Sequence, residues 1–523
     1  MRKILLILIF SLTLLLAISS VSAGEDISDN LTDTGDDIEA LQTVEDIQSG
    51  DDTEPLQASE ISDEVSVSNS TSDVSKASSK VSASKAVGYT TFPTKFTVKL
   101  TVDGKKIAGK KVNIFVNNKN YTRLTDKNGD ATLNIYLAKG NYKVIYSYAG
   151  DKNTSASSGV GSINIKDAIK TKLKVGDNYI SYRQGLKTIF YVKLTDVKGN
   201  PIKSKKVIFK VLGKTYTAKT DSKGNARIYL NLKYGNHMVY YCFVKDSPYL
   251  SSKGSAKLFF KHPMAKGNGY WMWPSHMSST NLKTLASRGT KHIFLESYAI
   301  SAYGTSYVAS WIKKAHSYGI KVHIWMCVCS DGENWVSPVR DDGSFKYYFI
   351  NQKIDSAVRY AKIAGVDGIH LDYMRYGGTA HKHINAIASI NYIVKKISYS
   401  VHKVNKNCIV SVALMPEPSM MHYYYGQDVP SLSKYVDALI PMAYKGNYGK
   451  NTNWIKGVTN TFVKQSMGAQ IWTGLQAYHS DDNTNPLSYS ELLKDAKAAK
   501  SGGAKGIVLF RIGISKYLNF KLV

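Results

Sequence analysis

The run Gly365-Val366-Asp367-Gly368-Ile369-His370-Leu371-Asp372-Tyr373-Met374-Arg375-Tyr376 alternates like a β-strand and then ends in charge. A strand buried on both faces of a parallel sheet normally reads as an unbroken apolar run. A carboxylate at its carboxyl end is costly unless it is paired or put to use. In a closed barrel of alternating strands and helices, that end of each strand is where functional side chains sit.

The same pattern extends to both sides of this run. Apolar strand signals fall at 269–273, 292–296, 321–328, 368–373, 409–415, 438–444, 470–477 and 506–511. Helical patterns lie between them, as in Val308-Ala309-Ser310-Trp311-Ile312-Lys313-Lys314-Ala315 and Glu491-Leu492-Leu493-Lys494-Asp495-Ala496. Eight such units predict a (β/α)8 TIM barrel over residues 263–523, close to the ~250 residues typical of that fold.

Upstream, two segments repeat at an offset of 95 residues. Lys110-Lys111-Val112 recurs as Lys205-Lys206-Val207, and Thr125-Asp126-Lys127-Asn128-Gly129 as Thr220-Asp221-Ser222-Lys223-Gly224. Gly140-Asn141-Tyr142 recurs as Gly235-Asn236-His237. Short alternating runs between Gly/Asn/Asp turns predict two all-β sandwiches, at 88–166 and 167–262. The chain therefore reads as multidomain, with two sandwiches followed by the barrel.

The amino-terminal part reads differently. Residues 1–23 carry Arg2-Lys3, an apolar run from Ile4 to Ile18 and the small-residue site Val21-Ser22-Ala23, the pattern of a secretory signal peptide. Residues 24–87 are rich in Ser, Thr and Asp without periodicity, which predicts a disordered acidic spacer. The expected product is secreted or displayed at the cell surface. Between Glu25 and Asp73 lie 16 acidic residues and no Lys or Arg, so residues 74–523 carry a net charge of +42. A surface that basic attracts polyanions. For an exported chain the expected partner is a cell-wall or extracellular polysaccharide rather than nucleic acid, with the basic surface offering association with the wall or a membrane face. Plain solubility is the other reading of the same charge. The four cysteines Cys242, Cys327, Cys329 and Cys408 lack zinc-ligand or disulfide-scaffold spacing and read as free thiols. No metal or cofactor is expected, and His381 and His383 read as loop residues rather than as metal ligands.

Carboxylates recur at the expected strand ends. Glu296 closes the second strand, Asp372 the fourth, and the fifth leads into Met415-Pro416-Glu417-Pro418. The sixth leads through Pro441-Met442-Ala443 to Tyr444, the seventh runs toward Asp481-Asp482, and the eighth ends at Arg511. Paired carboxylates among aromatic side chains are what glycoside hydrolysis requires: one protonates the leaving oxygen, and the other attacks or activates water. Asp372 is the first candidate, with Glu417 as its acid between two stiffening prolines and Glu296 in reserve. His370 and Arg375 could hold Asp372 ionised or bind a substrate carboxylate, because a nearby cation lowers a carboxylate's pKa. Tyr444, Trp273, Trp325, Tyr298 and Arg511 complete the candidate substrate-binding set, while Asp481 and Asp482 read as solvated turn residues.

Two resemblances rest on these motifs. The repeats resemble bacterial-type immunoglobulin-like modules of archaeal cell-surface adhesin-like proteins, without the buried cysteine pair of antibody domains. The barrel resembles glycoside hydrolases of the chitinase-like and glycosyl-hydrolase-like-10 groups, through Gly-Val-Asp-Gly-Ile-His-Leu-Asp-Tyr-Met-Arg-Tyr and Pro-Met-Ala-Tyr. Family-18 chitinases carry Asp-x-x-Asp-x-Asp-x-Glu at the first of these. This chain has Asp367, His370, Asp372 and Met374 there, and Lys445 follows the strand-six Tyr444. The resemblance thus implies a hydrolase barrel without the substrate-assisted chitinase apparatus. The expected function is an exported glycoside hydrolase acting on an acidic envelope polysaccharide and carried on immunoglobulin-like spacers. The alternative is a surface adhesin whose barrel binds glycans without cutting them, since fold does not guarantee activity. A deacetylase or peptidase is disfavoured by the absence of HExxH and Gly-x-Ser-x-Gly patterns.

Overall fold

A computed structural model describes residues 75–330, 333–514 and 517–523. The expected signal peptide (1–23) and most of the expected acidic spacer (24–87) lie outside the described residues.

The first sandwich packs a sheet containing Ser79–Ala83, Thr94–Val102 and Asp130–Ile135 against a five-stranded sheet containing Lys111–Val116 and Gly140–Tyr148. Period-two alternation sends Phe96, Val98 and Leu100 from one sheet, and Val112, Ile114 and Val116 from the other, into one shared core. The sandwich begins at Ser79, earlier than the 88 read from sequence. Val81 packs into the core and Ser79–Ala83 pairs antiparallel with the strand ending at Val102, so the spacer's last residues belong to the fold.

The second sandwich repeats this arrangement, with Lys206–Val211, Gly235–Phe243 and Ser252–Lys261 at the 95-residue offset from Lys111–Val116, Gly140–Tyr148 and Ser157–Lys166. The repeated Asp-x-x-Gly turn has a mechanical cause. Asp126 Oδ1 accepts the amide protons of Asn128 and Asp130 at 2.7 and 3.0 Å, and Asp221 Oδ1 accepts those of Lys223 and Asn225 at 2.9 and 2.8 Å. The glycines that follow sit at φ +74° and +78°, where a Cβ would come within 2.4 and 2.5 Å of the carbonyl oxygens of Leu100 and Leu194. Only glycine fits both the backbone and the space.

The remaining residues form a closed eight-stranded parallel barrel. Its strands are β1 (Gly269–Met272), β2 (His292–Glu296), β3 (Lys321–Cys327), β4 (Gly368–Asp372), β5 (Ile409–Leu414), β6 (Ala438–Pro441), β7 (Gln470–Gln476) and β8 (Gly506–Phe510). Each pairs with its successor, β8 closes on β1, and at least one helix lies between each strand and the next. All eight strands fall where the sequence placed them, ending up to three residues earlier. Outward positions such as Ile293, Leu295, Val322 and Ile324 meet the helices. The helix Ala386–Val404 answers with Ile390, Ile393, Val394, Ile397 and Val401 on one face. Inward positions fill the barrel with Trp271, Phe294, Trp325, Ile440, Trp472 and Val508.

The second sandwich meets the barrel at the amino-terminal ends of the strands. Asp437, just before β6, is buried and accepts hydrogen bonds from Arg183 Nε (2.9 Å) and Nη2 (3.1 Å), Lys261 Nζ (2.7 Å) and the Val410 amide (3.0 Å). Burial alone would raise its pKa, but Arg183 and Lys261 hold it well below the usual carboxylate range. Around this cluster, Tyr435 donates to Asp177 at 2.8 Å, the Ser181 amide donates to the Lys434 carbonyl at 3.0 Å, and Tyr179 packs on Tyr399 at 4.6 Å.

Candidate active site

Strand β4 sets the site. Its inward residues are Gly368, His370 and Asp372, and its outward Ile369 and Leu371 anchor it in the helical shell. Gly368 is required by crowding, since a Cβ there would lie 2.1 Å from His323 Nδ1 and 2.7 Å from the Ile409 carbonyl oxygen. Directly after Asp372 the chain turns sharply, with Tyr373 at φ +48°, a costly conformation for a bulky residue of the kind that clusters at functional sites. That turn aims the Tyr373 amide at Asp372 Oδ1, 2.7 Å away. From β3, which pairs Cys327 with Asp372, the Trp325 indole N–H donates to Asp372 Oδ2 at 3.0 Å. Burial raises the pKa of Asp372, while these two donors and the nearby Arg375 work in the opposite direction.

Asp372 opens into a cleft of about 420 Å³ at the carboxyl end of the barrel. Glu296, at the end of β2, lines the same cleft. Its pKa is also raised by burial, and it has no hydrogen-bond partner among the described residues. The two carboxyl groups thus share a desolvated space but differ in surroundings. Asp372 is held by two donors that favour the anion, and Glu296 is held by none, which favours the neutral acid.

Aromatic walls complete the cleft. Trp273 and Tyr444 line it, with Tyr444 stacked on Phe510 at 5.9 Å, and the Cys327 thiol beside Asp372 is pushed up to about 12 by burial. Arg375 lies against the rings of Trp335, Tyr373 and Tyr425 at 4.5, 5.5 and 5.5 Å. Asp481 also lines the cleft, fixed by Tyr478 Oη at 2.8 Å and Asn447 Nδ2 at 2.8 Å.

Asp372, Glu296, Arg375, Tyr444, Trp273 and Trp325 are therefore brought together, and other candidates are not. Glu417 is absent from the cleft lining, and its Oε2 instead accepts hydrogen bonds from Tyr425 (2.7 Å) and Tyr448 (3.2 Å). His370 is buried beneath the cleft between Trp271 and Phe294, with Nδ1 2.9 Å from Ser411 Oγ, and burial lowers its pKa to about 3. That imidazole is fully buried and does not line the cleft. Tyr298 begins the short helix Tyr298–Tyr303, is exposed and lies outside the lining. Arg511 covers the face of Trp273, its guanidinium 3.2 Å from the ring centre, beside the cleft rather than in its lining. His381 stacks on Tyr423 and His383 on Tyr376. Sequence reasoning read Asp481 as a solvated turn residue, whereas it lines the cleft, and it missed the phenols of Tyr425 and Tyr448, which carried no signal. Among the described residues no group of three or more His, Cys, Asp or Glu could hold a metal ion, and no helix is long and apolar enough to cross a membrane.

No protein-family model matches the chain, and no curated protein matches its sequence. Among solved structures it is similar to fibronectin(III)-like modules of Clostridium thermocellum CbhA at 16% identity, over 35% of this chain and 95% of that one, with a TM-score of 0.23. It is also similar to a class V chitinase from Pseudomonas fluorescens Pf-5 at 13% identity, over 49% of this chain and 98% of that one, with a TM-score of 0.38. Catalytic domain 2 of the Group II chitinase of Ostrinia furnacalis is similar at 12% identity, over 48% of this chain and 92% of that one, with a TM-score of 0.34. Likenesses of that size concern the path of parts of the chain.

Proposed function

We propose that residues 263–523 are a (β/α)8 barrel glycoside hydrolase of an exported, envelope-associated protein, acting on a polysaccharide through Asp372 and Glu296. The observation that carries this reading is the shared cleft, where two carboxyl groups are desolvated together but only one has donors fixing its anion. Glu296 is then the acid that protonates the leaving glycosidic oxygen, and Asp372 acts at the anomeric carbon. Retention or inversion of configuration in the released sugar distinguishes Asp372 as nucleophile from Asp372 as base on a bound water. Trp273 and Tyr444 offer faces on which a sugar ring can stack. Glu417 drops out of the acid's role because two phenols already occupy its carboxylate.

The test is sugar release from cell-envelope polysaccharide by the full chain. Asp372→Asn and Glu296→Gln should each reduce the rate by about 10²–10⁴-fold, the usual worth of general acid–base catalysis, with folding intact. The acid limb of the pH profile should lie above the ordinary carboxylate range, because Asp372 must be ionised, and Glu296→Gln should remove the basic limb. Glu417→Gln should leave the shape of the profile unchanged. Wild-type protein that binds polysaccharide but releases no sugar would make the barrel a glycan-binding module instead.

A further inference from the structure

Arg375 is an unusual group to find in this cleft. Among the described residues no carboxylate lies within 4.0 Å of it, and its surroundings are the three rings of Trp335, Tyr373 and Tyr425. Among the described residues its one side-chain hydrogen bond runs from Nη1 to the Tyr376 carbonyl oxygen at 3.2 Å, and its buried Nε has none. A guanidinium carries five N–H donors in a rigid plane, and burying it with only the through-space attraction of Asp372 and no carboxylate in contact leaves part of its desolvation cost uncompensated. Aromatic faces recover part of that cost but supply no acceptor. Among the described residues Nη2 has no hydrogen-bond partner, and Arg375 lines the cleft, so this edge can serve a bound ligand.

Resting on the hydrolase reading above, we propose that Arg375 recognises a carboxylate carried by the substrate, so that the sugar bound beside Asp372 is a uronic acid. The planar guanidinium held over the Trp335 ring presents its donors in one plane, and a carboxylate accepts in-plane donors as a matched pair. The negative group on the substrate supplies the acceptor that the cleft lacks. It also places a charge near Asp372 only in the bound state, which raises that carboxyl group's basicity. The cationic surface of residues 74–523 concentrates such polymers, and Arg375 selects among them at the site.

The test measures binding to full-length protein carrying Asp372→Asn, which cannot turn substrate over, with trigalacturonate, its methyl ester and a sulfated neutral trisaccharide as probes. The acid should bind about tenfold to a hundredfold more tightly than the ester, the worth of a charge-assisted hydrogen bond. Arg375→Gln should erase that preference, and Arg375→Lys should keep part of it. The same acid-to-ester ratio measured on wild-type protein at low temperature checks that the Asn has not created the preference, and it stands as the measurement if Arg375→Gln fails to fold. Equal affinity for acid and ester, a preference that survives Arg375→Gln, failure of all three probes to bind, or equal affinity for the sulfated sugar would overturn the assignment. If the acid is preferred through Arg375 yet wild-type protein releases no sugar from it or from envelope polysaccharide, the hydrolase reading fails while the carboxylate site stands.

Discussion

The two sandwiches share a repeat but not a role. In the first, Tyr89 pairs with Lys166 at the end of the sheet, and Lys166 is exposed. In the second, the equivalent pair is Arg183 with Lys261, and both are buried against Asp437 of the barrel. Between the equivalent positions Ala83 and Gly88 the first sandwich has residues 84–87, whereas between Val175 and Tyr182 the second has 176–181. Those two extra residues belong to the segment that brings Asp177, Tyr179 and Ser181 onto the barrel. A repeat therefore transmits its core and turns faithfully, and its departures from period mark where one copy has acquired a partner.

Acid should separate the two regions most widely. Burial lowers the pKa of His292, His370 and His402 to about 3 and pushes His323 down as well, and all four belong to the barrel. The unfolded chain takes up protons on these groups as pH falls through about 6.5, while the folded barrel refuses them, so its stability falls steadily below that pH. Neither sandwich has a buried histidine. In the first, Asp151 is held below the usual carboxylate range chiefly by the Lys110 ammonium, so its contribution is present above about pH 3.9 and is lost only as pH falls further. All 7 tryptophans lie in the barrel. On acidification, tryptophan fluorescence should report unfolding at a higher pH than the loss of β-sheet circular dichroism from the first sandwich. Coincident transitions would mean that the two regions unfold as one.

Asp437→Ala comes next in size. It leaves Arg183 and Lys261 buried without a counter-charge, which should cost about 3–5 kcal/mol in denaturant unfolding followed by tryptophan fluorescence. Lys261 is already lowered to about 7 by burial, partly offset by Asp437, so the variant should lose least at alkaline pH, where that lysine can shed its proton. A loss under 1 kcal/mol would show that the sandwich is merely adjacent. The smallest effect is expected from Asp167→Asn at the end of the first sandwich, where the Lys139–Asp167 pair is about two-thirds exposed on both sides. Its midpoint should not move measurably, because water and salt already screen such a pair.

Much of this was legible in the sequence because local pattern carried it. The eight barrel strands were found through apolar runs bounded by polar loops, and Asp372 and Glu296 were found because each ends such a run in charge. Glu417 misled for a comparable reason. Its flanking prolines suggested a stiff, presented side chain, whereas Tyr425 and Tyr448 reach it from 8 and 31 residues away. Asp437 lies 254 residues from Arg183 and 176 from Lys261, and no spacing rule joins charges across such distances. His370 shows the limit of alternation, which places a residue on the inner face but not at a depth along the barrel axis.

The Asp437 cluster and the cleft lie at opposite poles of the barrel. If the cleft holds a polymer as proposed, the pull falls on a body whose far end is joined to the second sandwich at several points, with charges, a phenol and a backbone amide all crossing the joint. The second sandwich would then serve as the shank of a tool, setting the angle at which the cleft meets an anchored polymer.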